Sequence, residues 1–325
     1  MAPATTSKNH LSFQNTNSSM EKLSLFNVES DWLKDQIYVY GLREEIREIL
    51  THLGGPSKAC KLIGISYVAL KEWPHGRKPI SLEKLNKLIG FCIAPFKEEM
   101  IIKIDSKDVL LSCRSSPHKI KFPKTVSSDL AYLLGLYLGD GTFAGDSSNK
   151  KGNWMIGAFF DNREHQQLVD SLVSNVFGIT VKQYDSKENC FESYFGSKVL
   201  HWFFRSYFGV CNGYKCNKIF APKLILDSEP EIVSSFLQGL FDSDGTITKN
   251  NVVKYASTSK IMVEQVRAVL AKFGIHSRFC EWIKDEKYLP LYLVEFGSRD
   301  SIKSFARLIN FRHRVKKSRL SKALS

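Results

Sequence analysis

The chain has 325 residues, of which 43% are apolar, and it carries 46 Lys and Arg residues against 33 Asp and Glu residues. This apolar content is sufficient for two or three globular units with cores of their own, and it excludes a wholly disordered chain. The surplus of 13 positive charges favours a polyanionic partner, with nucleic acid as the leading candidate.

The seven cysteines are scattered and odd in number, which excludes the disulfide framework typical of small secreted domains. We therefore expect an intracellular, reducing compartment. The closest pair, Cys211 and Cys216, has no matching second pair, so we expect no structural zinc site. The sequence contains no apolar run long enough to span a membrane and no secretory signal, and we expect no membrane partner.

The N-terminal part divides into a leader and a small helical domain. Residues 1–30 have little periodicity and are predicted to be disordered. Residues 31–92 are predicted to form an all-helical domain, because apolar residues recur at three- and four-residue spacing from Leu42 to Leu53 and two more short helices follow.

Those two short helices lie on either side of Gly64-Ile65-Ser66 and resemble a helix-turn-helix. The residues expected to face inward are Cys60, Ile65, Leu70 and Trp73. The outward face, which could enter a DNA major groove, consists of Ser66, Tyr67, Val68 and Lys71. A helical bundle without DNA contact has the same pattern, so both interpretations stay open.

Residues 93–126 are irregular and basic, and they are predicted to be a linker or an arm along DNA phosphates, with Lys119 and Lys121 as contacts. After them the sequence repeats itself. The segments LLGLYLGDGTF (Leu133 to Phe143) and LQGLFDSDGTI (Leu237 to Ile247) are each followed by a strand, a helix, two strands and a last helix. The repeat predicts an α+β fold in which one αββαββα unit occurs twice, over residues 127–226 and 227–325.

Small residues lie four apart in each repeated helix: Gly135 and Gly139 in the first, Gly239 and Ser243 in the second. This spacing allows two helices to approach until their backbones nearly touch. Their C-terminal ends would then bring Asp140 and Asp244 together, each before a glycine expected to end its helix in a left-handed turn. Two carboxylates at helix C-termini are electrostatically unfavourable without a cation, and a divalent metal would supply one.

The two segments resemble the LAGLIDADG signature of homing endonucleases, with the final acidic position kept in both copies. The resemblance covers roughly residues 127–320. It implies a pseudo-twofold monomer whose two saddle-shaped sheets lie in adjacent major grooves of double-stranded DNA, and it implies cleavage of both strands. It also implies a Mg²⁺ site, in which Mn²⁺ can substitute, formed by Asp140, Asp244 and the residues that precede them, Gly139 and Ser243.

The family pattern also places a basic residue at a similar interval after each aspartate. Lys218 and Lys316 match this pattern as catalytic residues, and Lys215 and Lys317 are close alternatives. In the basic run near the C-terminus, Arg312, Arg314 and Lys317 are candidate DNA contacts. The first motif departs from the family at Leu138, where an acidic residue is common.

Two other functions use the same features. One is a non-catalytic DNA-binding regulator that combines a degenerate LAGLIDADG fold with a helix-turn-helix; the presence of both aspartates argues against it. The other is a maturase that binds intron RNA. The splicing residues of inteins are not apparent in the sequence, so a free-standing or intron-encoded endonuclease is expected.

Overall fold

The computed structural model describes residues 22–27, 37–113, 118–145, 154–187, 190–211, 217–283, 287 and 289–325. The helices are α1 (Arg43–His52), α2 (Pro56–Ile63), α3 (Tyr67–Lys71), α4 (Leu82–Gly90), α5 (Phe96–Asp105), α6 (Ser128–Gly139), α7 (Arg163–Phe177), α8 (Lys198–Phe208), α9 (Lys223–Leu226), α10 (Pro230–Ser243), α11 (Lys260–Lys272), α12 (Arg299–Leu308) and α13 (Arg314–Leu324). None of these described helices is both long and apolar enough to cross a membrane.

The strands of the described residues form three antiparallel sheets of four strands each. They are β1 (Ile37–Tyr40), β2 (Ile80–Ser81), β3 (Leu110–Cys113), β4 (Ile120–Lys121), β5 (Gly141–Ala144), β6 (Met155–Phe160), β7 (Lys182–Lys187), β8 (Cys190–Gly196), β9 (Gly245–Ile247), β10 (Val253–Ser257), β11 (Arg278–Trp282) and β12 (Leu291–Phe296).

The predicted internal repeat is confirmed by the order of elements and by the sheet topology. The first half runs α6-β5-β6-α7-β7-β8-α8, and the second half runs α10-β9-β10-α11-β11-β12-α12. The strand order is β5-β6-β8-β7 in one sheet and β9-β10-β12-β11 in the other, so equivalent strands occupy equivalent places. The chain therefore has an α+β fold in which one αββαββα unit occurs twice.

Local signals in the sequence explain where the helices of this repeat begin and end. Ser127 caps α6 by accepting a hydrogen bond from the Leu130 N–H at 3.2 Å, and Ser259 caps α11 in the same way through Met262 at 3.3 Å. Helix α7 ends at Gly178, whose φ of +67° is a left-handed conformation that favours glycine.

Each sheet of the repeat buries one face and exposes the other. In β6, Ile156 and Ala158 are buried, whereas Met155 and Phe159 are exposed, because successive side chains of a strand point to opposite faces. Helix α7 contacts β6 and β8, and α11 contacts β10 and β12. The helices thus cover the apolar face of each sheet, and the opposite face remains open.

The N-terminal domain is not all-helical, and the segment after it is not an irregular linker, contrary to the prediction from the sequence. Both contribute strands to a sheet of order β2-β1-β3-β4. Strand β1 pairs with both β2 and β3, and it buries Ile37 and Val39. Residues 93–126, predicted to be irregular, contribute α5, β3 and β4. These strands are short, and they are stabilised by partners distant in sequence rather than by a long local pattern.

Most of the predicted disordered leader lies outside the described residues. Residues 22–27 are ordered against the rest of the chain, since Lys22 forms a bridge with Thr125, and Leu23 and Leu25 are buried. The Tyr207 hydroxyl of α8 donates to the carbonyl oxygen of Ser24. The N-terminal region therefore packs against the first half of the repeat.

Candidate active site

The two motif helices, α6 and α10, cross in backbone contact, as the spacing of small residues predicts. A Cβ atom added at Gly135 would lie 2.1 Å from the carbonyl oxygen of Phe236, and one added at Gly239 would lie 2.1 Å from that of Tyr132. No real side chain tolerates such distances. Glycine at these two positions is therefore required for the approach of the helices.

This crossing brings the C-terminal ends of α6 and α10 side by side. The Asp140 N–H donates to the Leu136 carbonyl at 3.1 Å, and the Asp244 N–H donates to the Leu240 carbonyl at 3.0 Å, so each aspartate closes its helix. A Cβ added at Gly139 would lie 2.9 Å from Oδ2 of Asp244, which places that carboxylate against the residue before Asp140. Asp140 is exposed and Asp244 half-buried.

The glycines that follow the aspartates have a different role from the one predicted. The glycines with positive φ among the described residues do not include Gly141 or Gly245, so neither helix ends in a left-handed turn at these positions. A Cβ at Gly141 would lie 2.4 Å from the Tyr137 carbonyl oxygen, and one at Gly245 would lie 2.5 Å from that of Phe241. Glycine is needed because β5 and β9 start directly against the helix that precedes them.

Lys316 reaches the end of α10 from the first turns of α13. Its Nζ donates to the carbonyl oxygens of Asp242 at 2.6 Å, Ser243 at 3.0 Å and Phe241 at 3.2 Å. Burial lowers the pKa of this ammonium group. The carboxylates that act in the opposite direction, and raise it, are those of Asp242, Asp140, Asp161 and Asp244.

The other candidate lysines occupy different environments. Lys317, the alternative to Lys316, is exposed. Lys218 is exposed beside the end of α6, where it lines a small cavity together with Leu138 and residues 208–211. Lys215 lies outside the described residues. In the second half, the lysine that contacts the end of the motif helix is therefore Lys316.

A buried polar network beside Asp140 was not anticipated from the sequence. The Tyr132 hydroxyl donates to Oδ2 of Asp242 at 2.8 Å, so its lone pair accepts the hydrogen bond from Nε2 of His165, 2.9 Å away. Burial, together with the charges of His313 and Lys316, lowers the pKa of His165 to about 3. At neutral pH this imidazole is uncharged and serves as a donor.

The network continues into the second half through His313. Its backbone N–H, like that of Arg312, donates to the Asp242 carboxylate, and its Nε2 lies 2.7 Å from Oδ1 of Asp161 in the first half. Burial raises the pKa of Asp242, although the hydrogen bonds that it accepts act against this shift. The sequence contains one indication of this network, namely Asp242, which occupies the position in the second motif that Leu138 occupies in the first.

These groups line a cavity of about 160 Å³ next to the helix ends. Its polar lining comes from Asp140, Asp161, His165, Asp242, Ser243, His313 and Lys316. Acidic oxygens, one ammonium group and two imidazoles thus face the same small space. Such a combination can hold a cation and orient water or a phosphate oxygen.

Two arginines of the C-terminal run, Arg312 and Arg314, contact other side chains of the protein. Arg312 is half-buried: its guanidinium donates to Gln238 at 2.8 Å and to Asp129 at 3.1 Å, and it lies 4.3 Å from the centre of the Tyr132 ring. Arg312 therefore links the two halves, and its contact with DNA stays a prediction. Arg314 is exposed and pairs with Glu164.

The remaining predicted DNA contacts lie in or next to the N-terminal unit, apart from the helix ends. Helices α2 and α3 and the turn at Gly64, with φ of +68°, are present as predicted, and Tyr67 and Lys71 are exposed. Lys121 is exposed near Gly178, and Lys119 lies 4.4 Å from the centre of the Tyr40 ring. Their contact with DNA stays a prediction.

The residues at the helix ends fit a hard divalent cation. Among the described residues, no group of three or more His, Cys, Asp and Glu side chains is arranged to hold a metal. The available donors are the carboxylates of Asp140 and Asp244 and the backbone oxygens of Gly139 and Ser243. Mg²⁺ needs few protein ligands because it retains several waters. The backbone oxygen of Ser243 accepts a hydrogen bond from Nζ of Lys316, and its second lone pair can bind a metal.

Comparison with known proteins places a family domain in the second half. Residues 231–310 match the model of the LAGLIDADG-like domain. In Methanocaldococcus jannaschii, a glutamine–fructose-6-phosphate aminotransferase is 24% identical over 87% of this chain and 25% of its own length. In Thermococcus kodakarensis, a replication factor C small subunit is 31% identical over 59% of this chain and 21% of its own length. The chain thus spans about a quarter or less of these relatives.

A similar solved structure is that of I-DmoI in complex with DNA and Mn. It is 20% identical to this chain and has a TM-score of 0.42. The match covers 57% of this chain and 97% of the I-DmoI chain.

Proposed function

We propose that the chain is a site-specific endonuclease that cuts both strands of duplex DNA, because residues 231–310 match the LAGLIDADG-like domain and the first half repeats the order of elements of the second. The observation that carries this proposal is the backbone contact between α6 and α10, which brings the Asp140 and Asp244 carboxylates to adjacent helix ends. Binding alone gives no reason for two acidic groups to meet in a protein with 13 surplus positive charges.

In this proposal, Asp140, Asp244 and the backbone oxygens of Gly139 and Ser243 hold Mg²⁺ or Mn²⁺. The metal, when bound, would lower the pKa of the attacking water and stabilise the leaving oxygen. Lys316 supplies a positive charge against the developing phosphate charge, and its contacts with the α10 carbonyls hold its Nζ in place. Lys218 is the corresponding group of the first half.

The open sheet faces are the surfaces proposed to lie on DNA, one in each of two adjacent major grooves. The internal repeat supplies both halves of the site, so the chain is proposed to act as a monomer with pseudo-twofold symmetry. Each aspartate then serves one strand. Reducing intracellular conditions suit the described cysteines, which are all free.

The relatives also support a mobile element. The aminotransferase and the replication factor subunit have unrelated functions. In each of them, the segment that matches this chain makes up only a quarter or less of the relative's length. A segment that recurs in proteins of unrelated function is typical of an inserted module. This favours the homing type of endonuclease, which recognises the DNA sequence that its own element interrupts.

The test uses the purified full chain and the DNA that flanks its gene, rejoined as it reads without the insertion. Binding and strand cleavage are measured in parallel with Mg²⁺, with Mn²⁺, with Ca²⁺ and with a chelator. We expect cleavage of both strands with Mg²⁺ or Mn²⁺, and specific binding without cleavage in Ca²⁺. Specific binding without cleavage in any of these metals would identify the chain as a DNA-binding regulator instead. A splicing assay on a precursor RNA tests the maturase alternative.

A further inference from the structure

The exposed faces of the two repeated sheets match in register but differ in chemistry. Thr142 of β5 pairs with Gly157, which pairs with Tyr194, whereas Thr246 of β9 pairs with Lys254, which pairs with Glu295. The ring of Tyr194 in the first sheet and the carboxylate of Glu295 in the second therefore occupy equivalent positions.

The first sheet presents aromatic rings on this face. A Cβ at Gly157 would lie 2.1 Å from Cδ1 of Tyr194, so glycine allows that ring to lie over β6. Phe159 and Tyr184 lie beside it, with ring centres 6.1 and 6.2 Å from that of Tyr194. Phe159 is 45% exposed and Tyr184 is 51% exposed. Three large rings on an open face form a patch for which a binding partner is expected.

The second sheet has small or charged side chains at the equivalent positions. By the same register, Ala256 replaces Phe159, and Cys280 replaces Tyr184. Lys254 pairs with Glu295 at 2.8 Å, and the exposed Arg278 lies opposite Glu295 on the neighbouring strand. This face thus has no aromatic ring at the three positions, and its donors, Lys254 and Arg278, lie at the positions that Gly157 and Lys182 occupy in the first sheet.

The surroundings of the rings also indicate a nucleic acid. Tyr184 and Tyr194 line a groove of about 680 Å³ that Lys182, His118 and Met155 line as well, and Glu192, which pairs with Phe159 and Tyr184, contributes one carboxylate to it. Lys182 pairs with Tyr194 across the strands, so a cation stands next to the apolar patch on the same face. Apolar side chains contact the thymine 5-methyl group in the DNA major groove, and a lysine beside them can contact a phosphate.

We propose that the first sheet recognises thymine 5-methyl groups through Phe159, Tyr184 and Tyr194, whereas the second sheet lacks these rings and reads bases through Lys254 and Arg278. This inference rests on the proposed binding of duplex DNA. It assigns chemically different half-sites to the two halves: thymines beneath the first sheet, and guanine acceptors beneath Lys254 and Arg278. The planes of Phe159 and Tyr194 are at 90°, which favours contact with base edges over stacking of unpaired bases.

The test starts from duplexes selected by the full chain from a random library in Ca²⁺. In a selected duplex, the thymines of one half-site are replaced by deoxyuridine, which lacks only the methyl group, and the dissociation constants are compared. We expect about a fourfold loss of affinity for each contacted methyl. The loss should occur in one half-site only.

Variants assign this effect to the rings. Phe159→Ala introduces the residue found at the equivalent position of the second sheet, and Tyr184→Ala removes a second exposed ring. Each should reduce the ratio of deoxyuridine to thymine dissociation constants towards one. Arg278→Ala is the matched control, because it should weaken binding to both duplexes equally. The ratio cancels any general loss of affinity or of folded protein.

Equal binding of thymine and deoxyuridine duplexes by the parent chain would overturn the inference while leaving the proposed function intact. A ratio unchanged in both ring variants would overturn it as well. If unpaired RNA bound more tightly than every selected duplex, and the ring variants removed that binding, the face would be a stacking surface instead. Failure to select any duplex would overturn both this inference and the proposed function.

Discussion

The Tyr132 hydroxyl of the first motif helix donates a hydrogen bond of 2.8 Å to the Asp242 carboxylate of the second. Both residues are buried, and Asp242 also accepts from the backbone of Arg312 and His313 just before α13. Lys316 lies in the first turns of α13. Because Asp242 holds the residues that start this helix, it also positions Lys316 at the end of α10. The contact between the halves and the placement of Lys316 therefore depend on each other.

Lys316→Met should reduce cleavage about a hundredfold with little change in DNA binding, since it removes a charge held at the helix end by three carbonyl oxygens. The measurement is the single-turnover rate for each labelled strand in Mg²⁺. Lys317→Met is the matched control, because Lys317 is exposed, and it should alter only the salt dependence of binding. Equal rates in both variants would exclude a catalytic role for Lys316.

Asp140→Asn and Asp244→Asn should each abolish or severely reduce double-strand cleavage while leaving binding in Ca²⁺ largely intact. Each substitution removes a charged oxygen donor from the proposed metal site but changes the side-chain volume little. Asp300→Asn makes the same change at an exposed position in the first turn of α12, and it should cut at the parental rate. Parental cleavage by both helix-end variants would refute the metal assignment.

Gly135→Ala should destabilise the fold by about 2 kcal/mol or more, because its new methyl group would meet the backbone of α10 rather than a movable side chain. Gly90→Ala is the control. Gly90 is the last residue of α4 and has no atom within 4 Å of an added Cβ, so alanine there should change stability by no more than about 0.5 kcal/mol. Urea unfolding of the two variants measures both effects. A neutral Gly135→Ala would mean that the helices are not in close contact.

The features that could be predicted from the sequence are those encoded locally and twice. The repeated order of elements predicted both halves, and small residues four apart predicted the contact between α6 and α10. The N-terminal sheet was missed because β1, with Ile37 to Tyr40, is four residues long and its partners are distant in sequence. Asp161, His165 and His313 were missed because each resembles an ordinary polar residue until folding brings them together.

The buried His165 should make stability depend on pH. Its pKa falls from the usual 6.5 to about 3 on folding, so the unfolded chain binds more protons between these values. Its contribution is fully present above pH 6.5 and is lost as pH falls towards 3, by about 1.4 kcal/mol per pH unit. His165→Gln keeps an N–H donor for Tyr132 but does not titrate. The difference in unfolding free energy between the parent and this variant should shrink as pH falls below 6.5. A difference that stays constant with pH would contradict the lowered pKa of His165.

The N-terminal unit should extend the DNA footprint beyond the two sheets. Deleting residues 1–115 would test this poorly, because the deletion removes Leu23, Leu25 and β3, which pack against the rest of the chain. Tyr67→Ala and Lys71→Ala change only exposed side chains of α3.

If α3 lies on DNA, the double variant should shorten the region protected from hydroxyl radicals at one end. It should also lower the slope of log affinity against log salt by about 0.9, the value for one lost phosphate contact. Cleavage in Mg²⁺ at saturating protein should continue, because the helix ends are untouched. Lys61→Ala, on the exposed surface of α2, is the comparison for a lost charge in the same unit. An unchanged footprint and slope in the double variant would leave α3 as a structural element or a surface for another partner.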